Sequence, residues 1–224
     1  NEGFTPCILD PGVGSAEDRK EAVKIAGDLG LTFSGFCAQL RGSETFGGLD
    51  EEEGLAERVA WTKRVLDAVA EMGGPVVTTH PGVIPEDESS ATYQILLKSL
   101  GDIAEHAAKL KICFALETGQ ERPVVLRKFM ETVGSPGLGV NYDPCNLLKF
   151  GPQEGTIDGV GVLKDHIVHT HAKDRNAETG RATCGEGAVR HFGVPSSLTI
   201  WASSGTGSPF MPASRTSSHS SEWV

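Results

Sequence analysis

The sequence lacks most of the short signatures that announce a chemistry. It has no GxGxxG dinucleotide fingerprint, no P-loop, no GxSxG elbow and no HExxH zinc motif. It has no excess of positive charge: 20 Lys and Arg face 30 Asp and Glu, a net charge of −10. A general nucleic-acid binder needs a basic face to meet phosphates, so that class is set aside, although a local basic cleft is not. No apolar run approaches the roughly 20 residues of a membrane span. The start is neither basic nor followed by an apolar core, so no secretory leader is expected and cytoplasm is the default location. The five cysteines are odd in number and form no CxxC, which argues against a disulfide framework or a zinc knuckle. The chain opens on Asn1 rather than Met, so residues are expected to be missing before it.

What is present is an alternation of strand-like and helix-like stretches over 224 residues, enough for one domain with a substantial core. Thr5 to Leu9 reads as the end of a strand. Ser15 reads as the N-cap of a helix carrying Ala22, Ile25, Ala26 and Leu29 at helical spacing, with Gly30 as its stop. Leu31 to Leu40 reads as a strand and 41–49 as a loop. Asp50 is expected to cap a second helix with Leu55, Val59, Thr62, Leu66 and Val69 inside. Strands follow at 75–79, 112–116, 138–142 and 167–171. Helices lie between them at about 89–110, from Pro123 as an N1 residue, and at 156–164. Such alternation implies an α/β fold with parallel strands, and the strand ends described next suit a repeat of the (β/α) TIM-barrel type.

Three of these strands end in groups that handle protons and metals: Glu117, Asp143 and His171. The spacings are 26 and 28 residues, about one βα unit each. The three therefore occupy equivalent places at the C-terminal strand ends, the active-site face of a barrel. Any one alone would read as a loop cap or an ion-pair partner. Together they form an oxygen and nitrogen ligand set suited to Mg, Mn, Co or Zn. Strand alternation puts Ala115 and Cys113 on the face of Glu117, and Asn141 and Gly139 on that of Asp143. It puts His169 and Ile167 on the face of His171, and Thr78 and Val76 on that of His80.

Around these lie residues with two readings each. His169 is a hydrogen-bonded interior histidine or a group touching metal or substrate. His80, before Pro81-Gly82, touches substrate or metal, or shapes its loop. Asn146 donates to a substrate oxygen or forms an Asx-turn after Pro144. Lys173 and Arg175 recognise a substrate hydroxyl or phosphate, or pair within their loop. Glu121 reads as an acid at a helix N-terminus, Gly185 to Gly187 as a turn, and Cys145 as structural.

Residues 117–121 (Glu-Thr-Gly-Gln-Glu), 141–147 (Asn-Tyr-Asp-Pro-Cys-Asn-Leu) and 169–174 (His-Thr-His-Ala-Lys-Asp) resemble the xylose isomerase-like TIM barrels, the sugar phosphate isomerases/epimerases. Residues 78–85 and 185–187 fit as well. The resemblance covers about 15–189. It implies a divalent metal held by a Glu, an Asp, a His and a second Glu, with Glu117, Asp143 and His171 matching the first three. It implies a sugar or polyol as substrate and isomerisation or epimerisation by proton transfer beside a carbonyl, with Glu117 able to shuttle the proton. A related polyol dehydratase and a phosphodiester-cleaving endonuclease are the enzyme alternatives, and a sugar-binding or inactive fragment is the non-catalytic one.

The second Glu has no match, because the sequence departs after Val189. From Arg190 to Val224, 35 residues include 10 serines and only three charged groups, Arg190, Arg215 and Glu222. Such a segment buries too little apolar surface to offset its ordering entropy. It reads as a low-complexity tail or as out-of-frame translation. The expected organisation is therefore residues 1–189 as a partial barrel and 190–224 as a Ser-rich tail. A barrel incomplete at its C-terminal end, and at its N-terminal end as well, would expose strand edges and favour association between copies.

Overall fold

The computed structural model describes residues 8–38, 48–150, 158–176 and 188. Five strands form one sheet: β1 (Phe36–Cys37), β2 (Val76–Thr79), β3 (Cys113–Glu117), β4 (Leu138–Tyr142) and β5 (Ile167–Thr170). They lie side by side in sequence order, and every neighbouring pair is parallel. Helices alternate with them: α1 (Ala16–Asp28), α2 (Leu55–Glu71), α3 (Ala91–Leu110), α4 (Pro123–Val133), α5 (Pro144–Phe150) and α6 (Asp158–Leu163). The result is a partial TIM barrel whose strand ends all point one way. No helix among the described residues is long and apolar enough to cross a membrane.

The helices form where caps and periodicity place them. Ser15 accepts from the Asp18 amide while the Asp18 carboxylate returns a bond to Ser15, closing a capping box. Ser90 caps α3 by accepting from Tyr93, and Pro123 opens α4. The apolar stripe of α3, Leu96, Leu100, Ile103, Ala104 and Ala107, is fully buried. It packs with Val77, Phe114, Leu116 and Val140 from one face of the sheet. Phe129 of α4 meets the edge of Tyr93 at 5.3 Å and 82° in the same core.

Several expected boundaries move. Ile8 and Leu9 lie in a turn rather than a strand, and residues 5–7 fall outside the described set. Among the described residues of the stretch from Leu31, only Phe36–Cys37 forms strand against β2, and the Ala38 amide donates to the Thr78 carbonyl at 3.0 Å. Asp50 does not cap α2, which begins at Leu55 behind Gly54. The Asp50 carboxylate is instead pressed onto Gly82 of the loop after β2, where φ is 113° and an added Cβ would come within 2.4 Å of it. The α1 face expected to be inside is only partly covered: Ala22 packs half-buried against the core, while Ile25 is 52% and Leu29, just after the helix, 68% exposed. The Arg19–Glu71 ion pair also ties α1 to α2. Helix α5 was not expected at all. The expected turn at 185–187 and the tail from 190 lie outside the described residues.

The second face of the sheet is small. Val76, Cys113 and Ala115 cluster there with Val168, as alternation predicts for the first three. In β5 alternation fails. Val140 pairs with Ile167 but Asn141 pairs with His169, so Val168 is an extra residue, a bulge. Ile167 therefore packs into the helix-side core, correcting its expected place beside His169, and Val168 turns inward. Gly139 makes room for it: a Cβ there would meet Cys113 Sγ and Val168 Cγ2 at 2.6 Å. Burial in this cluster pushes the Cys113 thiol up to about 12. In the native chain Cys113 should resist iodoacetamide at pH 8 while the exposed Cys37 reacts, and both should react in denaturant. Equal native labelling, read by mass spectrometry, would contradict this packing.

Candidate metal centre

Parallel register brings the three strand ends together. Glu117 is the last residue of β3 and pairs with Asn141. Tyr142 pairs with Thr170, so Asp143 and His171 emerge side by side, and the His171 amide donates to the Tyr142 carbonyl at 3.0 Å. Thr118 ties the ends. Its hydroxyl lies 3.0 Å from the Asp143 carbonyl, to which it donates, and accepts from the Asp143 amide at 2.8 Å. Asp143 then starts α5, with Oδ1 accepting from the Asn146 amide at 3.0 Å. In place of the Asx-turn expected of Asn146, Asp143 caps a helix, and the Asn146 side chain donates to Glu117 Oε1 at 2.8 Å.

Glu117, Asp143 and His171 each offer one ligand atom, and these atoms lie within 4.8 Å of one another. His171 Nδ1 is 3.2 Å from Glu117 Oε1 and 3.2 Å from Asp143 Oδ2. Ligands bound at about 2.1 Å around one ion stand roughly 3.0–3.4 Å apart at octahedral or tetrahedral angles. The donor set and two of its spacings therefore fit a divalent cation. So does the crowding of donors on Glu117 Oε1. Asn146 Nδ2 donates to it at 2.8 Å, His80 Nε2 lies at 3.3 Å and Lys173 Nζ at 3.4 Å. Lys173 also donates to Asp143 Oδ2 at 2.5 Å.

Asn141 organises the remaining side. It is fully buried, and its Nδ2 donates to Glu117 Oε2 at 3.1 Å. Its Oδ1 lies 2.9 Å from His169 Nδ1, which donates to it. His169 is thus half-buried and hydrogen-bonded to Asn141, with its ring centroid 5.8 Å from that of His171. His80, Asn146 and Lys173 converge on Glu117. Arg175 makes no such contact among those described; its charge, like that of Lys173, is felt at the Cys145 thiol. Sequence reasoning passed over the roles of Asn141 and Thr118. A buried amide inside a strand must find partners, which was a usable signal for Asn141. Nothing marked Thr118.

Charge distribution follows from these contacts. Burial alone would raise Glu117, but the hydrogen bonds of His171 and then His80 hold its carboxyl well below the ordinary range. Asp143 first and Glu117 second raise His171 to about 9. Burial, then the charge of His171, lowers His169. Burial raises Glu121, which is buried just before α4 instead of standing as a solvated helix-end acid. In metal-free chain the His171 contribution is complete below its ordinary value near 6.5 and is lost as pH rises through about 9. The Glu117 contribution is complete above roughly pH 4.3 and is lost as pH falls. Thermal melting in EDTA should thus decline from about pH 6.5 toward pH 9.5. The alkaline decline should be markedly smaller in His171→Asn, leaving the part owed to Cys113, whose buried thiol is raised to about 12 and ionises sooner in the unfolded chain. An undiminished decline would place its origin elsewhere.

The model of a family described as xylose isomerase-like TIM barrel matches residues 6–200. A xylose isomerase domain protein from Planctomyces limnophilus is 27% identical, with 80% of this chain and 71% of that chain covered, and a TM-score of 0.69. A D-tagatose 3-epimerase-like protein superposes with a TM-score of 0.65 over 82% of this chain and 72% of that one. At 22% identity it speaks for the fold alone. An uncharacterized protein of Methanocaldococcus jannaschii is 26% identical over 140 residues, 58% of this chain. The chain spans about half, 48%, of the length of that curated relative.

Proposed function

Because this chain belongs to the xylose isomerase-like TIM barrel family, we propose that its strand-end cluster holds one divalent cation, Mn, Mg, Co or Zn, and serves a sugar or polyol isomerase or epimerase. The observation that carries this reading is the convergence of Glu117, Asp143 and His171 from three successive strands. Solved structures of similar fold include a D-psicose 3-epimerase and an L-ribulose 3-epimerase, which supports the substrate class.

Glu117, Asp143 and His171 would hold the ion, with His171 neutral and bound through Nδ1. A cation held there supplies positive charge that polarises a carbonyl and stabilises the negative charge left when a neighbouring carbon loses its proton. Glu117 is ionised and therefore able to accept a proton. Its depressed carboxyl makes it a weak base, so the ligand role is the better supported. Asn141 holds Glu117 Oε2, and His169 fixes the Asn141 amide, so the carboxylate keeps its orientation. His80, Asn146 and Lys173 stand where they could donate to sugar hydroxyls, with Arg175 farther out. The same reading keeps 1–189 as the barrel part and 190–224 as a separate tail, although the family match runs to residue 200. The nucleotide sequence around codon 189 tests that boundary.

His171 carries a proton in metal-free chain, since its carboxylate neighbours raise it to about 9. Calorimetric Mn(II) titration at pH 7 in buffers of different ionisation enthalpy should therefore show release of about one proton per ion. Binding without proton release would remove His171 from the ligand set. Activity is tested by incubating metal-loaded chain with ketoses in D2O. Deuterium should enter at the carbon beside the carbonyl and epimer should accumulate. Metal binding with no exchange on any ketose or polyol-derived ketone would sink the isomerase reading.

A further inference from the structure

Lys173 stands two residues past His171, beyond the end of β5. Its side chain is 46% exposed, yet its ammonium ends on two carboxylates whose side chains are 3% and 0% exposed, Glu117 and Asp143. The oxygens it reaches, Asp143 Oδ2 at 2.5 Å and Glu117 Oε1 at 3.4 Å, are the same two that His171 Nδ1 faces. A divalent ion bound there would need both oxygens at about 2.0–2.2 Å. An ammonium kept within hydrogen-bond distance of the same oxygens would stand a few ångströms from the ion, and two cations at that distance repel. The lysine is a compact charge on a flexible four-carbon stem, already half in solvent, so it can withdraw without disturbing the core.

We infer that Lys173 is a placeholder for the cation. Its ammonium balances Glu117 and Asp143 in metal-free chain. An arriving ion displaces it, and the freed ammonium then stands at the rim as a positive charge for an oxygen-rich substrate. This rests on the metal-centre reading above. It assigns Lys173 two positions and makes it a competitor of the ion as well as a substrate-facing group. The competition weakens metal binding, and it spares two buried carboxylates from facing each other without a counter-charge.

The test uses the full chain, stripped with EDTA and titrated with Mn(II) by calorimetry, beside Lys173→Met. A charged hydrogen bond is lost from the metal-free state alone, so the variant should bind Mn(II) roughly tenfold more tightly. A second measurement needs no variant. Brief acylation of wild-type chain, read by mass spectrometry, should label Lys173 more when Mn(II) is saturating, with the exposed Lys111 and Lys164 unchanged as controls. If wild type binds Mn(II) but the variant binds it equally or more weakly, or labelling of Lys173 stays constant, the placeholder role is overturned and the metal centre stands. If neither protein takes up Mn(II), Co(II), Mg(II) or Zn(II), both readings fall together. Should Lys173→Met not fold, the acylation result decides alone.

Discussion

Glu117→Gln should bind Mn(II) or Co(II) a hundredfold or more weakly than wild type while melting cooperatively. The change is nearly isosteric, so β3 and its pairing with β4 should persist. What disappears is a full negative charge at the point where three strand ends meet. The new amide also presents an N–H group to an environment already crowded with donors: Asn146 Nδ2, His80 Nε2, Lys173 Nζ and Asn141 Nδ2. Some of them must lose their acceptor, which adds a desolvation cost. Removing a group that merely orients a ligand costs about 10–100-fold in metal affinity, and a ligand itself should cost at least the upper end. Asn141→Ala therefore provides an internal scale. It leaves all three ligands in place and removes the amide that donates to Glu117 Oε2, lies 3.3 Å from His171 Nε2 and accepts from His169, so its loss should be nearer tenfold. Calorimetry on both variants checks the order. Equal, small losses would mean that Glu117 is not a ligand.

The largest effect on stability is expected far from this site, at Phe129. The ring is fully buried and meets Tyr93 edge-on, joining α4 to α3. Truncation to Ala should cost about 3–5 kcal/mol, from lost transfer energy and the cavity left behind. That is a large share of the roughly 5–15 kcal/mol that stabilises an ordinary domain. Val124 lies on the same helix, five residues earlier, and is 43% exposed. Val124→Ala should stay within about 0.5 kcal/mol. Urea unfolding of the two variants, followed by circular dichroism in EDTA, separates them. A shift for Phe129→Ala no larger than that for Val124→Ala would mean that the α3–α4 contact is not closed in solution.

The order of elements was legible because each kind carries its own local mark. The strands are short apolar runs ending in polar groups. The longer helices carry apolar stripes, and Ser15, Ser90 and Pro123 mark their starts. The three ligand candidates were legible because the βα repeat turns a spacing along the chain into adjacency across the sheet. Helix α5 was not, because an Asp-Pro start suits an isolated turn and a helix alike; here Asp143 Oδ1 accepts from the Asn146 amide three residues on, the bond of a helix cap. Nothing local separates the two until the next turn forms. Asp50 misled because it is a good cap residue whose carboxylate is taken by tertiary packing on Gly82. The exposure of α1 was equally hidden, since periodicity shows that a helix has an apolar face and not what lies beside it. The facing of Ile167 and Val168 depends on a register shift against β4, which has no signature inside β5.

That shift gives the strand a spare residue. A regular strand keeps its side chains in phase by counting in twos, so a single inserted or deleted codon upstream would swing His169 and His171 out of the centre. With Val168 in excess, one deletion at this point restores plain pairing of Ile167 with Val140 and His169 with Asn141. Both histidines then stay in phase, and the loss falls on the floor, where Val168 fills the hollow left by Gly139. The length of β5 is thereby uncoupled from the aim of its histidines. A reading-frame-preserving change in this strand can deepen the hollow beneath the ligands without repointing them, a freedom that the evenly paired β3 does not have.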